Sequence, residues 1–304
     1  MAPIVIFGFN RAESLRATLE SLAANPEASE SDLFIFIDGP RNEEEKSLTD
    51  ETISVANKTT GFKSVTVKSS PSNRGLGDSI ISGVTEVINQ YGKAIVLEDD
   101  LRLQPNFLTF INQGLNRYEN DPKIFSICGY TSKVKPPKNY AYDAYLCTRS
   151  SSWGWATWKD RWETVDWSGG ITDNQQPETS NQQPTNSHQL SFNAWGGSDC
   201  EGMLEGWRKG RNKSWAIRFC YSQYLQDRLS VFPVKSLLEN EGFDGAGTNC
   251  KKWSRFKYEL MNPDKREFSF PKDSVMLKKF HREALKYHSI PRRILSRIMY
   301  MVYR

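Results

Sequence analysis

Ala94-Ile-Val-Leu-Glu-Asp-Asp-Leu101 is the stretch on which the fold turns. Four consecutive apolar residues suit a strand covered on both faces, as the central strands of parallel sheets are. The run then stops in three adjacent carboxylates, Glu98, Asp99 and Asp100. The same strand–helix grammar repeats upstream. Pro3-Ile-Val-Ile-Phe-Gly-Phe9 is a first apolar strand. Asn10 follows as N-cap with Glu13 completing a capping box, and Leu15, Leu19 and Leu22 form a helical stripe. Leu33-Phe-Ile-Phe-Ile37 is a second strand ending at Asp38-Gly39, and a polar helix over 41–57 leads to a third near Ser64–Lys68. Ser72-Asn-Arg-Gly-Leu-Gly-Asp78 turns into a helix striped by Ile80, Ile81, Val84, Val87 and Ile88. This alternation predicts an α/β fold, Rossmann-like, with a mostly parallel central sheet and helices on both faces.

Ligands of such sheets bind beyond the carboxyl ends of the strands. Asn10 with Arg11, Asp38 and the acidic triplet all fall there. Three neighbouring carboxylates repel one another unless something neutralises them. Mg²⁺ or Mn²⁺ does so, bridging one or two carboxylates to substrate phosphates. The plain alternative is an acidic turn capping a helix that starts near Pro105. The Asn73-Arg-Gly-Leu-Gly77 turn can offer backbone amides and a guanidinium to a diphosphate. It is neither G-x-G-x-x-G after the first strand nor G-x-x-x-x-G-K-[ST], so dinucleotide and P-loop readings fail.

Beyond residue 124 the pattern becomes mixed. Strands are expected at Ile124–Gly129, Tyr145–Thr148 and Ser230–Val234, and helices at Cys200–Lys209 and Trp215–Gln226. Between them lie a Trp-rich stretch, Trp153-Gly-Trp-Ala-Thr-Trp158, and a polar run over 172–189 that reads as a surface loop.

Five Cys without a C-x-x-C pair, beside three His, give neither a structural zinc site nor a disulfide framework. Reduced thiols, no leader-like N-terminal segment and no apolar run of about 18 residues point to a cytoplasmic protein. The net charge of +4 is uneven: residues 251–304 carry 15 Lys/Arg against 5 Asp/Glu, or +10, leaving −6 for the rest. In the tail, Ile294, Leu295, Ile298, Met301 and Val302 alternate with Arg292, Arg293 and Arg297, with Tyr300 and Tyr303 beside them. That composition suits either an interfacial helix on the anionic inner face of the cell membrane or a helix packed on the domain. It is too apolar to favour nucleic acid.

"FGFNR", "IDG", "NRGLG" and "VLEDDL" together resemble the GT-A class of glycosyltransferases, and more narrowly N-acetylglucosaminyltransferase I and bacterial family 2 enzymes. "EDDLRLQPNF", "DPKIFSICGY", "SSWGWATWKDRW" and "SDCEGML" follow in the same order, so the resemblance covers roughly residues 1–250. It implies a GT-A catalytic domain over 1–250 (a nucleotide-sugar half, 1–130, and an acceptor half, 131–250) and leaves 251–304 as a basic helical tail. It further implies an inverting transfer from a UDP-sugar, with Mn²⁺ or Mg²⁺, to a glycan or lipid-linked oligosaccharide.

By the same resemblance Asp100 would ligate the metal, Asp99 the ribose and Glu98 the donor sugar. Asp38 would read the uracil edge, and Arg11 and Arg74 would face the diphosphate, beside Phe9, Asn10, Asn73 and Gly75. Trp153, Gly154 and Trp155 would line the sugar pocket, with Trp158 in the core. Asp199 would be the base, with Glu201 as the substitute, although Asp199 also suits an N-cap of the helix carrying Met203 and Leu204. Gly242–Cys250 would close over the donor, with Asn249 where related loops often place a His. Two rivals are a nucleotidyltransferase, which calls for a Gly-rich basic loop after the first strand where only Gly8 and Arg11 stand, and a catalytically silent glycan- or nucleotide-binding module.

Overall fold

β1 (Ile4–Gly8) is buried along its whole length and leads into α1 (Ala12–Ala23). β2 (Asp32–Ile37), α2 (Glu43–Asn57), β3 (Ser64–Ser69), α3 (Leu76–Tyr91) and β4 (Lys93–Glu98) follow where the alternation predicts them. Then come β5 (Leu101–Leu103), α4 (Phe107–Tyr118), β6 (Ile124–Cys128), β7 (Ala144–Cys147), β8 (Trp155–Trp158) and α5 (Lys159–Trp162). The last elements are α6 (Phe192–Gly196), α7 (Cys200–Arg208), α8 (Trp215–Leu225), β9 (Leu229–Pro233), β10 (Leu238–Asn240), α9 (Lys278–Tyr287) and α10 (Ile290–Val302). The structure is a computed structural model that describes residues 1–168, 190–242 and 256–302. The 172–189 run and most of the Gly242–Cys250 segment lie outside the described residues.

Eight strands form one sheet in the order β3-β2-β1-β4-β8-β6-β9-β7. The β3-β2-β1-β4 half is parallel throughout. β8 enters antiparallel between β4 and β6, β9 runs parallel to β6, and β7 closes the edge antiparallel to β9. Alternate side chains of the strands serve two cores. Ile4, Ile6, Leu33, Ile35, Ile95 and Leu97 face the apolar stripes of α1, α2 and α4. Val5, Phe7, Phe34 and Val96 face α3 and α8. The α/β expectation with helices on both faces therefore holds.

Local departures have physical causes. The residue preceding α1 is Arg11 rather than Asn10, and it makes no side-chain cap bond; Glu13 pairs with Arg16 instead of closing a capping box. The acidic triplet caps no helix: β5 intervenes, and α4 starts only at Phe107. β5 pairs with β10 in a separate antiparallel ribbon, and both are too short to show a pattern in sequence. Among the described residues, the tail is helical from Lys278. Before that it runs along the body, with Phe256, Tyr258, Phe268 and Phe270 packed on the larger core and Leu260 bridged to Ser236.

Candidate active site

The carboxyl ends of β1, β2 and β4 meet in a cleft of about 220 Å³ lined by Phe9, Asn10, Arg11, Asp38, Arg41, Asn73, Gly75, Glu98 and Asp99 among others. Parallel pairing brings this about, because it puts Gly8 opposite Ile37 and Phe7 opposite Glu98, so the three strand ends emerge side by side. The turn after β4 is pinned from α1: Ser14 and Thr18 hydroxyls donate to the Asp99 carbonyl at 2.8 and 2.9 Å.

Arg11 answers the acidic triplet. Its Nη2 donates to Asp99 Oδ1 at 2.5 Å and to Asp100 Oδ2 at 3.1 Å. One guanidinium is short of three carboxylates. Burial, then the charges of Asp100 and Asp99, push the Glu98 carboxyl up to about 8 against the pull of Arg11. Burial likewise raises Asp99 to about 6, with Arg11 opposing it. Carboxylates that hold protons near neutrality are a site deficient in positive charge. Across the turn, Asn240 Nδ2 lies 3.5 Å from Asp100 Oδ1, and the Glu241 N–H donates to the Asp100 carbonyl at 2.8 Å. The donors here are hard oxygens, which fit Mg²⁺ or Mn²⁺. Among the described residues, no group of three or more His, Cys, Asp or Glu is arranged to hold a metal ion by itself. The set fits a cation that shares its shell with a ligand's phosphates.

Asp38 takes a structural duty within the cleft. Its Oδ1 accepts from the Gly39 and Arg74 N–H groups at 3.0 and 2.8 Å, and its Oδ2 from Gly75 N–H at 2.9 Å. Asn73 Nδ2 donates to the Gly39 carbonyl at 3.0 Å. The NRG turn is thus stapled to the end of β2, with Gly75 at φ 83° leading into α3.

Other expected site residues fall elsewhere. Arg74 does not line the cleft; it borders one surface groove with Asp78 and Glu86 and another that reaches Asp38. Trp155 is 1% exposed and stacks between Trp162 and Trp215 over Phe219, so it is core and lines no sugar pocket. Gly154 packs against Phe107 and Leu238 and gives its carbonyl to Gly129 N–H at 2.7 Å. Trp153 is half-buried against Tyr130 and Phe256 and does face a cavity. Trp158 is core. Glu201 sits on the surface, where it binds the N–H and side-chain amide of Asn193 at the start of α6.

Asp199 precedes α7, but its side chain makes no cap bond. Arg149 grips it instead, at 2.7 and 3.2 Å. Burial pushes the Asp199 carboxyl up, yet the Arg149 charge and hydrogen bonds, helped by His288, outweigh it and hold it down at about 2. Sequence pattern gave no sign of Arg149 or His288 here, nor of Arg41, which lies over the Phe9 ring at 5.1 Å.

The sequence matches no protein-family model, and no curated protein matches it. Similar solved structures include TarS of S. aureus in complex with UDP, at 14% identity and TM-score 0.34 over 47% of this chain and 40% of that one. The chain thus spans about two fifths of the TarS chain that it matches. The mannosyltransferase PcManGT from Pyrobaculum calidifontis, in complex with GDP-Man and Mn²⁺, is similar at 10% identity and TM-score 0.37 over 75% of this chain and 70% of that one. A 4-diphosphocytidyl-2C-methyl-D-erythritol synthase from Anaerococcus prevotii is similar at 11% identity and TM-score 0.31 over 52% and 72%.

Proposed function

We propose that this protein is a metal-dependent, inverting glycosyltransferase that moves a sugar from a UDP-sugar to a glycan or lipid-linked acceptor in surface polysaccharide or glycoconjugate assembly. One observation carries the reading: Arg11, Asp38, Glu98 and Asp99 line one cleft at three strand ends, and Arg11 reaches from it to Asp100 at 3.1 Å. Asp100, next to Asp99 and Asn240, would hold the cation. When bound, it supplies charge neutralisation for the departing diphosphate. Arg11 would face the phosphates, and the Asp38-stapled turn would hold Leu76 and Ser79 at the start of α3 against the cleft. Glu98 and Asp99 orient donor hydroxyls. Inversion needs a base on the acceptor side, and the Gly197–Asp199 loop supports that side.

The composition of the tail supports a peripheral position on the inner face of the cell membrane. Ile290, Ile294, Leu295 and Ile298 of α10 are exposed, in a segment of strong positive charge. No helix among the described residues is long and apolar enough to cross a membrane.

The deciding experiment measures binding of UDP and turnover of UDP-, GDP- and dTDP-sugars with Mn²⁺ against EDTA, for the unsubstituted protein and Asp100→Ala. Metal-dependent UDP binding that Asp100→Ala abolishes supports the reading. Metal-independent binding, or none, overturns it.

A further inference from the structure

A second cavity, of about 190 Å³, lies between the Trp153 loop and the C-terminal helices. Arg149, Ser150, Ser151 and Trp153 line one side, and Leu285 and His288 the other. Gly154, next to Trp153, packs on Leu238 at the start of β10, and Asn240 at the end of β10 lies 3.5 Å from Asp100. β10 thus links the Trp153 side of the cavity to the acidic turn.

His288, just past α9, is seated on the Asp199 loop by several contacts. Ser198 donates to the His288 carbonyl from Oγ at 2.6 Å and from N–H at 3.3 Å, and Arg293 Nη1 donates to the Ser198 carbonyl at 3.0 Å. Gly197, at φ 120°, lies so close that a Cβ there would stand 2.5 Å from His288 Cβ. This approach sets His288 Nδ1 4.0 Å from Asp199 Oδ1. Asp199 itself is gripped by both Arg149 nitrogens, and a carboxylate so engaged and held at about 2 is a poor proton acceptor near neutrality. Imidazole is the side chain whose ordinary basicity suits that task.

We infer that His288 is the general base toward the acceptor hydroxyl, that Asp199 orients it, and that the cavity takes a pyranose acceptor against Trp153. The inference rests on the glycosyl-transfer reading above. In the transfer step the acceptor oxygen bonds to the anomeric carbon, and its proton passes to His288 Nε2. The anomeric C–O bond breaks with its electron pair leaving on the diphosphate. Asp199, on the Nδ1 side, stabilises the imidazolium that forms, as an orienting carboxylate does in a triad. At 4.0 Å His288 Nδ1 and Asp199 Oδ1 are in ion-pair rather than hydrogen-bond range, and catalytic contacts of this kind often tighten when substrate is bound. The other charged groups near the ring are Arg149 and, through Ser198, Arg293. Cys147, Tyr130 and Tyr145 share the cavity, but burial raises all three, so they stay neutral.

The test has two arms. In the first, nitrogen-15 spectra follow the His288 imidazole of the full chain and of Asp199→Asn through pH. A fall of about one unit in its titration midpoint on losing Asp199 is expected; no change overturns the pairing. In the second, UDP release from UDP-glucose and UDP-N-acetylglucosamine is measured with saturating Mn²⁺ and water as acceptor. His288→Gln should lose roughly 10²–10³-fold in kcat with UDP affinity unchanged, and imidazole should rescue His288→Ala. Unsubstituted kcat should fall as pH drops through the His288 midpoint that the spectra give, rather than stay level to about pH 4. Turnover that survives His288→Gln overturns this proposal alone. Absence of turnover in the unsubstituted protein overturns the transferase reading with it.

Discussion

Arg11 holds Asp99 at 2.5 Å and reaches past it to Asp100 at 3.1 Å, so one guanidinium occupies the oxygens that a cation would need. A metal held by these carboxylates would therefore compete with Arg11 for them while cooperating with it on a diphosphate. Arg11→Gln should bind Mn²⁺ alone about tenfold more tightly, since no buried charge pair has to be broken first. The same variant should bind UDP with Mn²⁺ about tenfold more weakly, having lost a charge-assisted phosphate contact. Calorimetric titrations with Mn²⁺ alone and with UDP at saturating Mn²⁺ separate the two effects. A variant in which both affinities move the same way refutes the competition.

Asp38 accepts from three backbone N–H groups, those of Gly39, Arg74 and Gly75. Bonds to an ionised acceptor contribute about 1.5–3 kcal/mol each when buried, less where water can replace them. Asp38→Ala should lower unfolding stability by about 2–4 kcal/mol and loosen the turn that opens α3. UDP affinity should fall with it. Urea unfolding and UDP titration on the same preparation check this; intact stability with lost UDP binding would mean that Asp38 touches only ligand.

Much of the parallel half of the sheet was legible in the sequence because its strands are short, apolar and individually punctuated. Asp38 and Asp100 stand where an apolar run stops, and a parallel sheet collects such stops at one edge. Long-range partners were not legible. Arg149 and Asp199 are separated by 50 residues, and nothing in local pattern pairs them. Trp153 and Trp155 show the other limit: in a strand, neighbours that differ by two belong to one face only while the strand continues. Trp153 precedes β8 and faces a cavity, whereas Trp155 is inside it and buried.

The Asp199 carboxyl falls from an ordinary 3.8 to about 2, and the residue is 8% exposed. A depressed carboxyl contributes stability that is present above its unfolded pKa and lost as pH falls through the folded one. The window here runs from about pH 4 down to about pH 2, and the contribution is about 2 kcal/mol. Asp199→Asn lacks it. The stability difference between the two proteins, from urea unfolding at steps between pH 5 and pH 2, should narrow by about that amount as pH falls. A constant difference would show that Arg149 does not stabilise the ionised form.

Gly242 sits where a Cβ would collide with Asp100 Oδ2. Gly242→Ala should therefore displace the Asp100 carboxylate without removing any charge. Roughly tenfold weaker Mn²⁺ binding in the presence of UDP is expected, since a shift of well under 1 Å spoils an octahedral donor. Unfolding stability should change by less than about 1 kcal/mol, because the methyl group meets a side chain rather than backbone. Unchanged Mn²⁺ affinity would put the cation elsewhere than Asp100.

α10 turns two faces to different duties. Arg293 reaches inward to Ser198, while Ile290, Ile294, Leu295 and Ile298 stay exposed on a helix with Arg292 stacked over Tyr287. An exposed row of four branched aliphatics is costly in water and gains about 1 kcal/mol per side chain on entering a bilayer interface. Ile294→Glu with Ile298→Glu should therefore weaken binding to vesicles containing phosphatidylglycerol by tenfold or more. Raising salt from 0.05 to 0.5 M should weaken the unsubstituted protein as well, since the attraction to anionic headgroups is screened. Mn²⁺-dependent UDP binding of the double variant should match the unsubstituted protein, because these side chains lie outside the cleft. Sedimentation with vesicles of neutral and anionic lipid measures both effects, and equal binding by the double variant would show that this face does not meet lipid.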